Sequence, residues 1–220
     1  MQLQALMQEF RIRRDDTTKP YDWSDEEVVS YINEAITEAC ERAWLIEDST
    51  TPEVCRITLR ADKAVYELHP SIIKVKRVTF DGSKIEEAST EAMDRLAARW
   101  EEETDATPRA FILANDQGIR AYPIPSESGG VLNLTVYRNP IDPMSLTRPK
   151  AEPEIHERHQ LRMLHWAYRC AMLKRDSVTY NPEAAAAEEA LFARSFGLLP
   201  DANVRRKHRD RRPPLVRSAW

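Results

Sequence analysis

The spacing of apolar residues changes twice along this chain of 220 residues. Near both ends, apolar side chains recur every three or four positions, as in amphipathic helices. In the middle, β-branched and aromatic residues partly alternate, as in strands. We therefore predict an α+β fold: an α-helical bundle formed by the N- and C-terminal helices, an inserted antiparallel β-rich subdomain, and an extended C-terminal tail. The predicted segments are residues 1–50 for the N-terminal helices of the bundle, 51–142 for the β-rich subdomain, 153–200 for the C-terminal helices, and 201–220 for the tail.

Local signals mark where the long helices begin and end. Ser24 can cap the first long helix, with Glu27 completing a capping box. Asn181-Pro182 can start the last helix, and Gly197 can stop it. Because the first long helix cannot bury its apolar stripe against the sheet alone, we expect it to pack against the two C-terminal helices. The predicted bundle core consists of the stripe residues Val28, Ile32, Ile36, Trp44, Leu161, Leu164, Tyr168, Leu191 and Phe196.

The middle of the chain is predicted to be rich in strands. Asp81-Gly82 is a hairpin turn signal, and a second turn is predicted at 115–118. The first long helix is expected to end near Ile46, before a loop at 48–52. Strands are predicted at 54–59, 64–68, 72–80, 110–113, 119–122 and 131–137, with a short polar helix at 90–99.

The C-terminal segment differs in composition from the rest of the chain. Seven Arg or Lys residues and one Asp between Asn203 and Trp220 give a local charge of +6; because the whole chain carries −4, residues 1–202 carry −10. Such a segment buries too little apolar surface to fold alone, whereas its Pro-Pro pair pre-orders the backbone and a tryptophan is a typical interface anchor. We therefore predict a docking segment that binds through Arg205, Arg206, Lys207, Arg209, Arg211, Arg212, Leu215, Val216, Arg217 and Trp220.

The residue pattern does not indicate a catalytic, metal or cofactor site. His156 and His159 share a helix face, but His165 lies nine residues after His156 and points to the other side. Three scattered cysteines fit buried thiols in a reducing cytoplasm, and five glycines argue against a phosphate-binding loop. The longest apolar run falls well short of the roughly 18–20 residues of a membrane span. We predict a protein that is not an enzyme, needs no cofactor and does not enter a membrane.

The basic tail is compatible with two kinds of partner. Its cations could neutralise DNA phosphates, and such binding would weaken steeply as salt rises. However, the rest of the chain is acidic and carries no helix-turn-helix, zinc-finger or aromatic RNA-binding pattern. Leu215, Val216 and Trp220 suit a protein groove better than a phosphate backbone. A protein partner is therefore the leading prediction, and a packaging-related DNA-binding protein that uses its tail on phosphates is the alternative.

The order and spacing of several short stretches resemble the head-to-tail adaptor, or connector, proteins of tailed bacteriophages. No single stretch is diagnostic, and the resemblance rests on their succession over roughly residues 8–202. The stretches are Trp23 to Val28 (WSDEEV), Ile32 to Ala35 (INEA), Ile72 to Val78 (IIKVKRV), Asp94 to Leu96 with Trp100, Thr107-Pro108, Asp116 to Gly118, Tyr122 to Pro125 (YPIP), Leu134 to Pro140 (LTVYRNP), His159, Leu164, Trp166 to Arg169 (WAYR) and Phe192 to Gly197 (FARSFG).

The resemblance implies a structural role in the virion, at the neck between head and tail, for a protein synthesised in the cytoplasm of the bacterial host. Such adaptors form a ring, usually dodecameric, beneath the portal protein. The ring extends the channel for double-stranded DNA and provides a docking platform for tail or nozzle proteins. The C-terminal segment of this chain would then reach the portal. Its cations would meet acidic portal residues, and its apolar residues would fill pockets.

Overall fold

The computed structural model describes residues 1–115, 117–175 and 178–199 of the chain. These residues form two compact units. The helical unit comprises 1–46 and 138–199, and the β unit comprises 47–137, so the β unit is inserted in the sequence of the helical unit. The combination of helices with a curled β-sheet confirms the predicted α+β class.

Capping residues define the ends of the long helices. The Ser24 hydroxyl accepts a hydrogen bond from the Glu27 N–H, and the Glu27 carboxylate accepts one from the Ser24 N–H at 2.9 Å, so the predicted capping box is confirmed. The first long helix ends at Ala43, earlier than predicted, because Trp44 adopts the left-handed conformation with φ of 50°. The helices are α1 (Leu3–Arg13), α2 (Asp25–Ala43), α3 (Pro52–Cys55), α4 (Thr90–Leu96), α5 (Glu157–Met172) and α6 (Pro182–Phe196).

Within the helical unit, α5 packs against α2, α6 and α1, and α1 also contacts α2. Buried apolar side chains from all four helices form the core of this unit. They include Leu6 and Phe10 of α1, Val28, Ile32 and Ile36 of α2, Met163, Leu164 and Tyr168 of α5, and Phe192 and Phe196 of α6.

A buried arginine joins α1 to the segment that leads into α2. One terminal nitrogen of Arg11 pairs with the Asp16 carboxylate. The other donates to the Trp23 carbonyl at 3.1 Å and to the Asp25 carboxylate at 2.6 Å. The guanidinium also lies 3.7 Å from the centre of the Tyr21 ring. Arg11 thus forms a buried polar connection between α1 and residues 16–25.

The β unit carries most of the strands. These are β1 (Ile46–Asp48), β2 (Arg56–Thr58), β3 (Val65–Glu67), β4 (Ile72–Phe80), β5 (Ser83–Glu87), β6 (Thr104–Asp105), β7 (Ala110–Asn115), β8 (Gly118–Tyr122), β9 (Ile124–Pro125) and β10 (Val131–Arg138). The main sheet has the order β1-β10-β4-β5-β7-β8-β3, with β2 also paired to β10, and β6 and β9 form a separate pair.

The strand pairings confirm one predicted turn and correct three other expectations. Asp81 and Gly82 both have positive φ and join β4 to β5 as a hairpin. The sheet is not wholly antiparallel: β5 and β7 are parallel, because the connection through α4 is a crossover, and β6 and β9 are also parallel. Val54 lies in α3, not in a strand, and the expected loop after α2 begins with the strand β1.

The core of the β unit lies against one closely packed glycine. A Cβ atom on Gly130 would approach Cε2 of the Phe80 ring to 2.7 Å, so any side chain just before β10 would force this ring to shift. The surrounding buried residues include Leu59, Tyr66, Val75, Val78, Ile119, Leu132, Leu134 and Val136.

The polar helix α4 ends at Leu96, earlier than the predicted end at residue 99, because the backbone of Ala97 is extended.

Candidate functional site

The central helix of the helical unit is α5, and each of its neighbours contacts a different side of it. On the α2 side, the Trp166 indole donates to the Glu34 carboxylate at 2.9 Å. Near the other end of the same contact, Lys174, just beyond α5, pairs with Glu27 at 2.5 Å. These contacts run in opposite directions along the two helices, so α2 and α5 are antiparallel.

The contacts of α5 with α6 are also antiparallel. His165 Nδ1 lies 2.6 Å from Glu188 Oε2, and the rings of Trp166 and Phe192 are 5.1 Å apart. Nearer the start of α5, the His159 ring lies 6.0 Å from Phe196. Towards the N-terminus of α5, the residues that contact α6 therefore lie nearer the side of α5 that faces α2.

The contact with α1 lies on a third side of α5. Phe10 packs at 5.4 Å from the Tyr168 ring, and Arg14 Cζ lies 5.8 Å from the same ring. Because an α-helix turns about 100° per residue, Leu161 points between the directions of Tyr168 and His165. The part of α5 between α1 and α6, opposite α2, therefore carries Leu161.

Three residues of the predicted bundle core lie at the surface, and the prediction was wrong for them. Leu161 is 39%, Leu191 44% and Trp44 39% exposed. The two leucines belong to their helical stripes but fall on the open side between α1 and α6, whereas the left-handed conformation of Trp44 takes its side chain off the stripe of α2. The other six residues, Val28, Ile32, Ile36, Leu164, Tyr168 and Phe196, are buried.

Two cationic residues lie beside Leu161 at the start of α5, and Glu157, one turn before Leu161, lies 3.9 Å from the N-terminal ammonium. Arg158 and Arg162 are exposed, and Arg162 makes no ion pair within the described part of the chain. Partial burial lowers the pKa of His159, and the nearby charges of Arg158, His156 and Arg162 lower it further. The surface around Leu161 is therefore positively charged even when the histidines are neutral.

The exposed face of α2 has the opposite charge. Glu26 and Glu34 are exposed and Glu41 is half-buried. Glu34 accepts the hydrogen bond from Trp166, whereas Glu26 and Glu41 have no ion-pair partner among the residues that the structure describes. Hydrogen bonding by Lys174 and the Ser24 N–H lowers the pKa of Glu27 at the start of the same helix.

Arg42 determines where the chain leaves α6. Its guanidinium lies over the Trp166 and Phe192 rings, at 4.9 and 5.1 Å, and pairs with Glu38 at 2.6 Å. The same group donates to the Gly197 carbonyl at 3.2 Å. This anchors the last described turn, after which Leu198 is exposed. The predicted docking residues from Arg205 to Trp220 lie outside the described residues.

Sequence reasoning missed the polar residues that hold the long segment between β10 and α5. Arg138 pairs with Glu154 at 2.6 Å, and the same carboxylate accepts from the Ile141 N–H at 2.7 Å. The Asn33 amide donates to the Met144 carbonyl at 2.9 Å and accepts from its N–H at 2.8 Å. Because each partner is more than a dozen residues away, helical spacing gave no signal for these contacts.

The side chains most capable of chemistry have structural contacts. The His156 ring caps α5 by accepting from the Arg158 N–H, while His165 pairs with Glu188. Burial raises the pKa of the Cys40 and Cys170 thiols to about 12, so both are poor nucleophiles. Within the described ranges, no three His, Cys, Asp or Glu side chains are grouped as a metal site would require, and no helix combines the length and apolar character needed to cross a membrane.

Comparison with known families assigns the chain. The family model described as SU10 adaptor protein matches residues 1–218. The chain belongs to the SU10 adaptor protein family. This confirms the resemblance to head-to-tail adaptors of tailed phages and makes the chain a bacteriophage structural protein, not a member of an enzyme family. A search of curated proteins found no match.

Proposed function

We propose that this SU10-family adaptor assembles as a ring, with twelve copies as the expected number, below the portal of the phage head. The ring extends the channel through which double-stranded DNA passes and offers a docking platform to tail or nozzle proteins. The family match over residues 1–218 carries this proposal, because it places nearly the whole chain among phage adaptors.

The C-terminal segment is proposed as the portal-docking arm. Its charge of +6 between Asn203 and Trp220 suits an acidic protein surface, and its apolar end can fill pockets. The Arg42 contact with the Gly197 carbonyl supports this role, since it holds the point from which the arm departs. Linking many arms through one ring would make the joint tight even if each arm bound weakly.

The acidic charge of the rest of the chain fits a DNA channel. Residues 1–202 carry a net charge of −10. A negative wall repels phosphates and allows DNA to slide, whereas a basic wall would hold it.

Native mass spectrometry of the protein mixed with the portal ring of the same virus tests the proposal. We expect a discrete complex with a fixed number of adaptor copies, and we expect a variant lacking 203–220 to stay folded but to lose portal attachment. A matched control replaces Leu215, Val216 and Trp220 by serine while keeping the charge, and partial attachment is expected from it. Portal attachment by the truncated protein at wild-type strength would refute the docking arm. Failure of the full chain to bind the portal well above micromolar concentration would refute the adaptor role.

The basic segment also supports a second candidate, a DNA-binding protein used in packaging. That role predicts submicromolar affinity for duplex DNA near physiological salt and a steep loss of affinity as salt rises. A titration at several salt concentrations, with the variant lacking 203–220 as control, separates the two roles. Micromolar or weaker binding by the full chain would reject the DNA-binding role.

A further inference from the structure

An apolar surface of the helical unit lies uncovered on the side of α5 opposite α2. Leu161 lies one turn before His165 on α5, and Leu191 lies about one turn after Glu188 on α6. Because His165 contacts Glu188 and the two helices are antiparallel, both leucines lie at the same level and on the same side of the helix pair. We name the surface formed by Arg158, Leu161, Arg162 and Leu191 the basic groove.

The exposure of Leu161 is unusual for its position, because the other members of its stripe, Leu164, Tyr168 and Met172, are buried whereas Leu161 is 39% exposed. Leu191 on α6 is 44% exposed. Single exposed leucines are common, whereas two at the same level of adjacent helices place two apolar groups on one side of the helix pair. Arg158 and Arg162 border this surface on α5. A partner that fits it must therefore carry apolar groups and negative charge.

The chain carries such a complement on α2, which lies across α5 from the basic groove. We name the surface formed by Glu26, Glu34 and Glu41 of α2, with Trp44 at the end of the helix, the acidic face. Glu26 and Glu41 have no ion-pair partner within the described residues, so their charges can interact with another molecule. Trp44 is 39% exposed and provides an aromatic group beside these carboxylates.

We propose that the acidic face of one copy docks into the basic groove of the next, as a head-to-tail contact between copies. The inference rests on the ring assembly proposed above and assigns the surfaces that build it. Since the two surfaces differ, one on α2 and the other on α5 and α6, the contact is heterologous. It therefore repeats from copy to copy and closes into a ring when the rotation allows.

Charge favours this occupant over the C-terminal segment of the same chain. That segment carries seven cations between Asn203 and Trp220 and would be repelled by Arg158 and Arg162. The glutamates of α2 are attracted to the same arginines. A second copy is thus the occupant that the charges of the groove select.

Charge reversal tests the pairing with little disturbance of the core, because Arg162 is exposed and Glu41 is half-buried. Sedimentation velocity and native mass spectrometry of the full chain, alone and with the portal ring, measure assembly. We expect Arg162→Glu and Glu41→Arg each to weaken assembly at least tenfold, since like charges then face each other. The matched control Arg95→Glu reverses an exposed arginine of α4 in the β unit and should stay within about twofold of the wild type.

Two combinations make the test specific to a head-to-tail contact. The double variant Arg162→Glu with Glu41→Arg should recover assembly. A mixture of the two single variants should form heterodimers, since each keeps one unaltered surface. Leu191→Ser serves as a second groove variant, and circular dichroism checks that every variant is folded.

The outcomes separate this inference from the adaptor role. If the wild type assembles on the portal and the groove variants assemble equally well, the surface assignment is wrong and the adaptor role stands. If groove variants lose assembly but the double variant recovers none, another molecule occupies the groove and the inference is overturned. If the wild type forms no complex with the portal, the adaptor role itself fails.

Discussion

Replacement of Arg11 by methionine tests whether a buried ion pair holds α1 in place. The Asp16 side chain is 2% exposed. After the substitution, its carboxylate still accepts the hydrogen bond from the Asp22 N–H at 2.8 Å, but it no longer has a cationic partner. Asp25 is half exposed and its charge is solvated, so its lost contact contributes little. Breaking a buried pair by removing one partner typically costs about 3–5 kcal/mol, because it leaves an uncompensated buried charge. We expect Arg11→Met to lower the free energy of unfolding by an amount in this range.

Urea unfolding followed by the helical circular dichroism signal measures this loss. The matched control is Arg13→Met on the same helix, whose side chain is 44% exposed and pairs with Glu9. An exposed pair of this kind contributes at most about 1 kcal/mol. Adding Asp16→Asn to Arg11→Met should recover about 1 kcal/mol or more, since a neutral amide is less costly to bury than a charge. If Arg11→Met costs no more than Arg13→Met, or if Asp16→Asn recovers nothing, the buried charge is not what holds this contact.

Three further predictions concern other parts of the fold. Ser24→Ala removes the N-cap of α2 and should lower the free energy of unfolding by about 1 kcal/mol in urea titrations. Gly130→Ala places a methyl group against Phe80 and should cost about 1–3 kcal/mol by the same measurement. The thiols of Cys40 and Cys170, whose pKa values burial raises to about 12, should stay protonated at pH 8; in the folded protein they should react with iodoacetamide about a hundredfold more slowly than in the unfolded chain.

Each of these predictions has its own check. Ser30→Ala, at an exposed position within α2, should be neutral or slightly stabilising because alanine favours helices, so an equal loss there would discount the cap. Phe80→Leu should relieve part of the cost of Gly130→Ala, and additive losses would argue against the clash. Rapid alkylation of Cys40 in the native protein, observed by peptide mass mapping, would contradict its burial.

Features that depend on neighbours in the chain could be predicted from the sequence. The Ser24 and Glu27 capping box and the Asp81-Gly82 turn each involve residues within three positions, so their geometry follows from local hydrogen bonding and backbone preference. The change from helical to strand period likewise predicted the α+β class. Charge counting identified the basic C-terminal segment by composition alone.

Features that depend on distant partners needed the tertiary structure. Helical spacing assigned Leu161 and Leu191 to the core, but both are exposed, and no local signal reports which side of a helix its neighbours leave uncovered. The parallel pairing of β5 with β7 follows from a crossover whose direction the strand pattern does not contain.

Arg11 also shows that contacts with distant partners could not be predicted from local sequence. A charged residue beside Phe10 would ordinarily be expected at the surface, yet Asp16, Asp25 and the Trp23 carbonyl compensate its burial. The amphipathic period specifies which residues prefer to leave water, and this preference is local. The packing of all the helices together decides which face of each helix is covered. This packing buries Leu164 and leaves Leu161 and Leu191 of the basic groove exposed.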